Sequence, residues 1–142
     1  MLRTPQVSGP SMSPHIQPGE YVVVNTLSYR WAVPKRGEII AFRHERSAPL
    51  VFLKRIVGLP GERVRIDRGQ VFINGQALPE PYLVYRDERS AGEVTIPRGM
   101  YYVLGDNRRD SDDSRDWGSV PGDQIVGRAL FALWPPKHFG AV

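Results

Sequence analysis

The chain has 142 residues, a length that suits one domain, residues 1–142, around a single core. It has no cysteine, which excludes a cysteine nucleophile, a disulfide framework and a thiolate metal site. The net charge of +4 rests on 19 basic residues, of which only Lys35, Lys54 and Lys137 are lysine. The arginines are spread among acids rather than clustered with aromatics, which argues against a nucleic-acid partner.

The first distinctive stretch is VSGPSMSP, residues 7–14. Two readings fit it: a polar tail that frays, or a rigid turn in which Gly9, Pro10 and Pro14 aim the hydroxyl of Ser11. The three histidines, His15, His44 and His138, are scattered and form no metal-binding pair. His15 lies four residues after Ser11, which leaves a histidine-based triad open.

Strand signals follow in series. YVVVN (21–25) comes first, and TLSYRWAV (26–33) is the one stretch that invites a short helix. GEIIAF (37–42) and LVFLKRIVG (50–58) are apolar runs, and RVRID (63–67) alternates as a half-buried strand does. QVFING (70–75) ends on Asn74-Gly75, a tight-turn signal. Residues 76–99 read as an extended excursion or long hairpin. EVTIP (93–97), MYYVLGD (100–106) and QIVGRALFALW (124–134) complete the set. With 14 glycines and 13 prolines as well, the expected fold is mainly β: coiled antiparallel sheets, barrel-like, with very little helix.

Within LVFLKRIVG, alternation puts Phe52, Lys54 and Ile56 on one face and Leu53, Arg55 and Val57 on the other. Arginine keeps its charge, so Arg55 needs water or a carboxylate. Lysine can lose its proton when buried, so Lys54 is a candidate general base. The plainer reading is that Lys54 snorkels to water at a sheet edge.

The loop GDNRRDSDDSRDWG (105–118) is long and strand-poor, as functional loops often are. Asp106, Asp110, Asp112, Asp113 and Asp116 invite a cation, but no glutamate closes the twelve-residue calcium frame. Arg108, Arg109 and Arg115 lie among these acids, so internal pairing is expected in place of a metal site.

Four blocks in order resemble type I signal peptidases, the membrane-anchored serine proteases that remove signal peptides. They are SGPSMSP, GEIIAF, LKRIVGLPGE and VLGDNRRDSDDSRDWG, and the resemblance runs from about Val7 to Phe139. It implies Ser11 as nucleophile and Lys54 as base, with Ser111 hydrogen-bonded to the amine and orienting it. Asp113 and Arg115 would pair and hold the loop, and Gly105 would let it approach closely. Met12, Ile16, Phe52 and Leu53 would help form shallow pockets for small residues, in substrates of the Ala-X-Ala type. Where members usually carry threonine or serine after the block's proline, this chain has His15.

The resemblance further implies no cofactor and no metal. It implies exported preproteins and the membrane lipid surface as partners, and a catalytic domain on the extracytoplasmic face. The chain itself reads as soluble, without an apolar run long enough to span a membrane; any anchor would lie upstream of residue 1. Two other readings remain: a Ser–Lys protease that cuts itself or a dedicated partner, and a non-catalytic β-barrel module that binds peptide or nucleic acid.

Overall fold

The computed structural model describes residues 1–44, 51–133 and 139–140. Leu50, Trp134, Lys137 and His138 lie outside the described residues. The described strands are β1 (Leu2–Arg3), β2 (Tyr21–Asn25), β3 (Ile39–Phe42), β4 (Phe52–Gly58), β5 (Arg63–Asp67) and β6 (Gln70–Ile73). They continue with β7 (Gln76–Ala77), β8 (Ala91–Thr95), β9 (Met100–Leu104), β10 (Val120–Pro121), β11 (Ile125–Leu133) and β12 (Phe139–Gly140). Helix is confined among the described residues to α1 (Ser114–Trp117) and two single 3₁₀ turns. None of these helices is long and apolar enough to cross a membrane.

All the strand pairings are antiparallel. The larger sheet runs β1-β2-β11-β3-β4-β9-β10, with β12 beside β11, and the smaller runs β7-β6-β5-β8. The mainly β reading of antiparallel sheets holds: the described strands form two sheets, and among the described residues neither closes into a barrel.

The alternation of side chains builds the core in layers. On β3, Ile39 and Ala41 join Met12, Ile16, Val22 and Val24 on one face of the larger sheet. Ile40 and Phe42 point the other way, toward Ile56, Tyr101 and Val103. This two-sided burial explains why GEIIAF reads as a continuous apolar run. A third cluster (Val57, Val64, Ile66, Val71, Tyr102 and Leu104) joins the smaller sheet to β4 and β9.

Local chemistry sets the connections. Asn74 and Gly75 both take positive φ, 51° and 83°, which makes the two-residue hairpin between β6 and β7. The helix expected over 26–33 shrinks to a 3₁₀ turn at Ser28–Arg30, uncapped by any side chain. Pro34 soon after blocks its extension. Between β7, which pairs with β6, and β8, which pairs with β5, residues 78–90 run without strand structure.

Candidate active site

The segment around Ser11 is a packed turn. Ser13 N–H donates to the Pro10 carbonyl at 3.0 Å and Ile16 N–H to the Met12 carbonyl at 3.0 Å. Met12 and Ile16 are 1% and 0% exposed and anchor the turn in the core. The 105–118 loop grips it as well. Asn107 donates its backbone N–H to the Ser11 carbonyl at 2.8 Å and its side-chain amide to the Pro10 carbonyl at 3.2 Å. The Asp106 N–H points at Met12 Sδ, 3.4 Å away. The frayed-tail reading therefore fails for this stretch.

Opposite Ser11 stands Lys54, carried by β4 and paired in register with Ile40 of β3. Lys54 Nζ and Ser11 Oγ are hydrogen-bonded at 2.8 Å. Lys54 is 4% exposed, so it does not snorkel. Among the described residues it has no carboxylate within ion-pairing distance. Burial pushes its amine below the ordinary lysine value, and the negative charges of Asp113 and Asp112 oppose that push. A lysine so placed can take a proton from the hydroxyl beside it.

The loop beyond β9 backs this pair. A Cβ built on Gly105 would sit 2.1 Å from Ser111 Oγ and 2.6 Å from the Ser11 carbonyl oxygen, so only glycine fits between them. Ser111 Oγ donates to Asp113 Oδ2 at 2.8 Å. The bond to the lysine amine that the resemblance implies is not formed among the described residues; the Ser111 hydroxyl hydrogen goes to the carboxylate. Gly105 N–H donates to the same Asp113 oxygen at 3.0 Å. Arg115 Nε donates to Asp113 Oδ1 at 2.9 Å, and Arg115 Nη1 to Asp87 Oδ2 at 3.0 Å. Asp113 also caps α1 in a capping box with Asp116, which fixes its carboxylate in this place.

A cleft of about 240 Å³ runs past the pair. Pro5 to Met12 form one wall, Val51 to Lys54 another, and Asp110 to Asp112 border it. Met12, Phe52 and Leu53 are among its lining residues. Ile16 is not: it packs against Met12, Val22 and Ala41 in the core beneath. Neither Val51 nor residues 5–10 stood out in the sequence as cleft wall, since nothing local marks which side of a short segment faces a groove.

For the charged loop the expectation is corrected, and for the histidines an open possibility finds no support. The charges of the 105–118 loop pair mostly outward. Asp106 binds Arg55 (2.8 and 2.6 Å), Arg108 forms a buried pair with Glu80, and Asp116 binds Arg89. Only Asp113–Arg115 is internal, because residues 78–90 lie against the loop and supply partners to its arginines. A histidine triad has no support either. His15 Nε2 is 2.6 Å from the Tyr82 carbonyl oxygen, and no hydrogen bond joins it to Ser11 among the described residues. His44 packs edge-on to Trp117 instead, with ring centroids 4.7 Å apart. No three His, Cys, Asp or Glu side chains among the described residues converge on a possible metal position.

Known proteins resemble this chain in sequence and fold. The family described as "Signal peptidase, peptidase S26" matches residues 1–134. "Probable signal peptidase I-2" of Synechocystis sp. is 39% identical over 135 residues, spanning 92% of this chain and 62% of that protein. "Signal peptidase I" of Leptolyngbya laminosa is 39% identical over 92% of this chain and 68% of its own length. "Signal peptidase IB" of Staphylococcus aureus is 33% identical over 94% of this chain and 78% of its own length. A crystal structure of a signal peptidase I from Enterococcus faecalis superposes with a TM-score of 0.57 at 38% identity, covering 67% of this chain and 95% of that one. This chain thus spans about two thirds of the length of the first two relatives. On sequence and fold together, the chain belongs to the signal peptidase family, peptidase S26.

Proposed function

We propose that this chain is the catalytic part of a type I signal peptidase, an endopeptidase that removes signal peptides from exported preproteins. Ser11 is the nucleophile and Lys54 the general base. The observation that carries the reading is the 2.8 Å hydrogen bond between Ser11 Oγ and an amine that is 4% exposed. Burial makes the neutral amine available, and proximity makes it useful.

The chemistry follows from those groups. Lys54 Nζ takes the Ser11 proton as Oγ bonds to the scissile carbonyl carbon. The negative charge that develops on the carbonyl oxygen faces the Ser11 N–H, which has no acceptor among the described residues. The lysine ammonium returns its proton to the departing amine as the C–N bond breaks, leaving an acyl-enzyme on Ser11. Water, deprotonated by the same amine, then releases the signal peptide. Ser111, Gly105, Asp113 and Arg115 hold the loop against the pair.

The substrate segment binds extended. Residues 52–54 pair with β3 on one side, while β9 pairs with β4 only from Arg55 onward, so among the described residues their other backbone edge stays open to the cleft. The shallow walls at Met12, Phe52 and Leu53 suit small side chains before the cut, as in Ala-X-Ala. The catalytic face works at the membrane surface on the extracytoplasmic side, without cofactor or metal.

The test is cleavage of a membrane-presented Ala-X-Ala preprotein by the full-length enzyme. Ser11→Ala and Lys54→Met should each lower kcat/KM by at least about a thousandfold. Full activity in either variant removes the dyad, and a fragment that appears without added preprotein points to self-cleavage instead.

A further inference from the structure

We propose that His15 is a positioning residue for the Ser11–Lys54 pair, a reading that rests on that pair being the catalytic one. A carbonyl oxygen only accepts hydrogen bonds, so the 2.6 Å contact between His15 Nε2 and the Tyr82 carbonyl requires a hydrogen on Nε2. The ring is thereby committed as a donor.

Tyr82 lies in residues 78–90, which belong to neither sheet. That segment is fixed by the buried Glu80–Arg108 pair, and Arg108 Nε also donates to the Gly105 carbonyl at 2.9 Å. The Tyr82 ring lies under the Arg55 guanidinium at 4.1 Å, and Arg55 directly follows Lys54 on β4. The His15 bond therefore closes a circuit, from the turn that carries Ser11, through Tyr82 and Arg55, to the strand that carries Lys54.

Asp106 and Arg55 are the charged groups on the same side. Asp106 Oδ2 lies 4.0 Å from His15 Nε2 and 2.6 Å from Arg55 Nη2. Besides the bond from Lys54 of β4, the polar ties on the turn from Asp106 and Asn107 come from the 105–118 loop. His15 adds a tie from the turn to a further segment, residues 78–90. Its side chain is 30% exposed, so truncation removes the bond while opening little cavity. Its loss should appear in the alignment of the reacting atoms more than in stability.

The experiment compares His15→Ala and His15→Gln in the full-length enzyme, with an Ala-X-Ala preprotein as substrate. Gln offers an amide donor at nearly the reach of Nε2. We expect His15→Ala to lower kcat about ten- to hundredfold with KM within about twofold, and His15→Gln to recover kcat to within about threefold of the parent. A kcat for His15→Ala within about twofold of the parent, a loss expressed in KM, or an equal loss in both variants overturns the proposal.

The ¹⁵N shifts of the His15 ring, read in the Ser11→Ala protein, test the bond without any turnover. A hydrogen on Nε2 supports the proposal, and a neutral ring with hydrogen only on Nδ1 overturns it. Failure of the dyad would show separately, as cleavage surviving Ser11→Ala or Lys54→Met.

Discussion

Lys54 and Arg55 are neighbours on one strand, and both are largely withdrawn from water, yet their surroundings are opposite. The Arg55 side chain is 13% exposed and meets Asp106 through two hydrogen bonds, the Gly37 carbonyl at 2.8 Å and the face of Tyr82. Among the described residues, Lys54 meets one neutral hydroxyl. A guanidinium cannot shed its proton, so the fold has to bring a carboxylate to it. An ammonium can, and leaving it without an ion-pair partner in a dry place favours the neutral amine. Adjacent positions on β4 thus carry a structural cation on one face and, on the proposed reading, a chemical base on the other.

The sharpest way to break this contrast is to give Lys54 its neighbour's chemistry. Lys54→Arg keeps the length and the positive charge but offers no free amine. Cleavage of a preprotein should fall by at least about a thousandfold in kcat/KM. Retained activity would mean that position 54 acts by charge alone.

The converse experiment removes the partner that Arg55 requires. Asp106 is 0% exposed, and Asp106→Ala leaves the guanidinium buried without its carboxylate. Unfolding in denaturant should show a loss of roughly 3–5 kcal/mol, the usual cost of breaking a buried pair from one side. A loss below about 1 kcal/mol would mean that Arg55 reaches water after all, and the two cations would differ less than their contacts indicate.

Part of this contrast is legible in the sequence. Alternation along LVFLKRIVG separates the two cations, and the fixed charge of arginine demands a carboxylate for Arg55. Neither names Asp106, which lies 51 residues away. Local signals translated well where one or two residues decide the geometry, as at Asn74-Gly75, and where both faces of a strand are buried, as at β3. Residues 78–90 were opaque. They form no strand, and their value lies in distant pairings such as Glu80–Arg108 and Asp87–Arg115, each across 28 residues. Periodicity carries no information about such partners, so the charges of the 105–118 loop looked as if they would pair among themselves. Ile16 shows a similar limit: an apolar residue near Ser11 reads equally as pocket wall or core, and only packing assigns it to the core.

The smallest expected effect tests the electrostatics of Lys54 most directly. Asp112 is exposed at the cleft, yet its negative charge favours the protonated amine and so partly undoes the effect of burial. Asp113 acts in the same sense, but it also holds Gly105, Ser111 and Arg115, so changing it would disturb the loop. Asp112→Asn is the cleaner probe. With Lys54 as the proposed base, activity needs the neutral amine, whose fraction grows as pH rises through the Lys54 pKa, so kcat/KM should climb along an acid limb to a plateau. Removing the carboxylate destabilises only the protonated form. The limb should therefore move to lower pH, with the plateau unchanged. Because Asp112 is solvated, added salt should shrink the difference between parent and variant. A limb that moves to higher pH, or one that stays in place at low salt, would mean that the group titrating there is not Lys54.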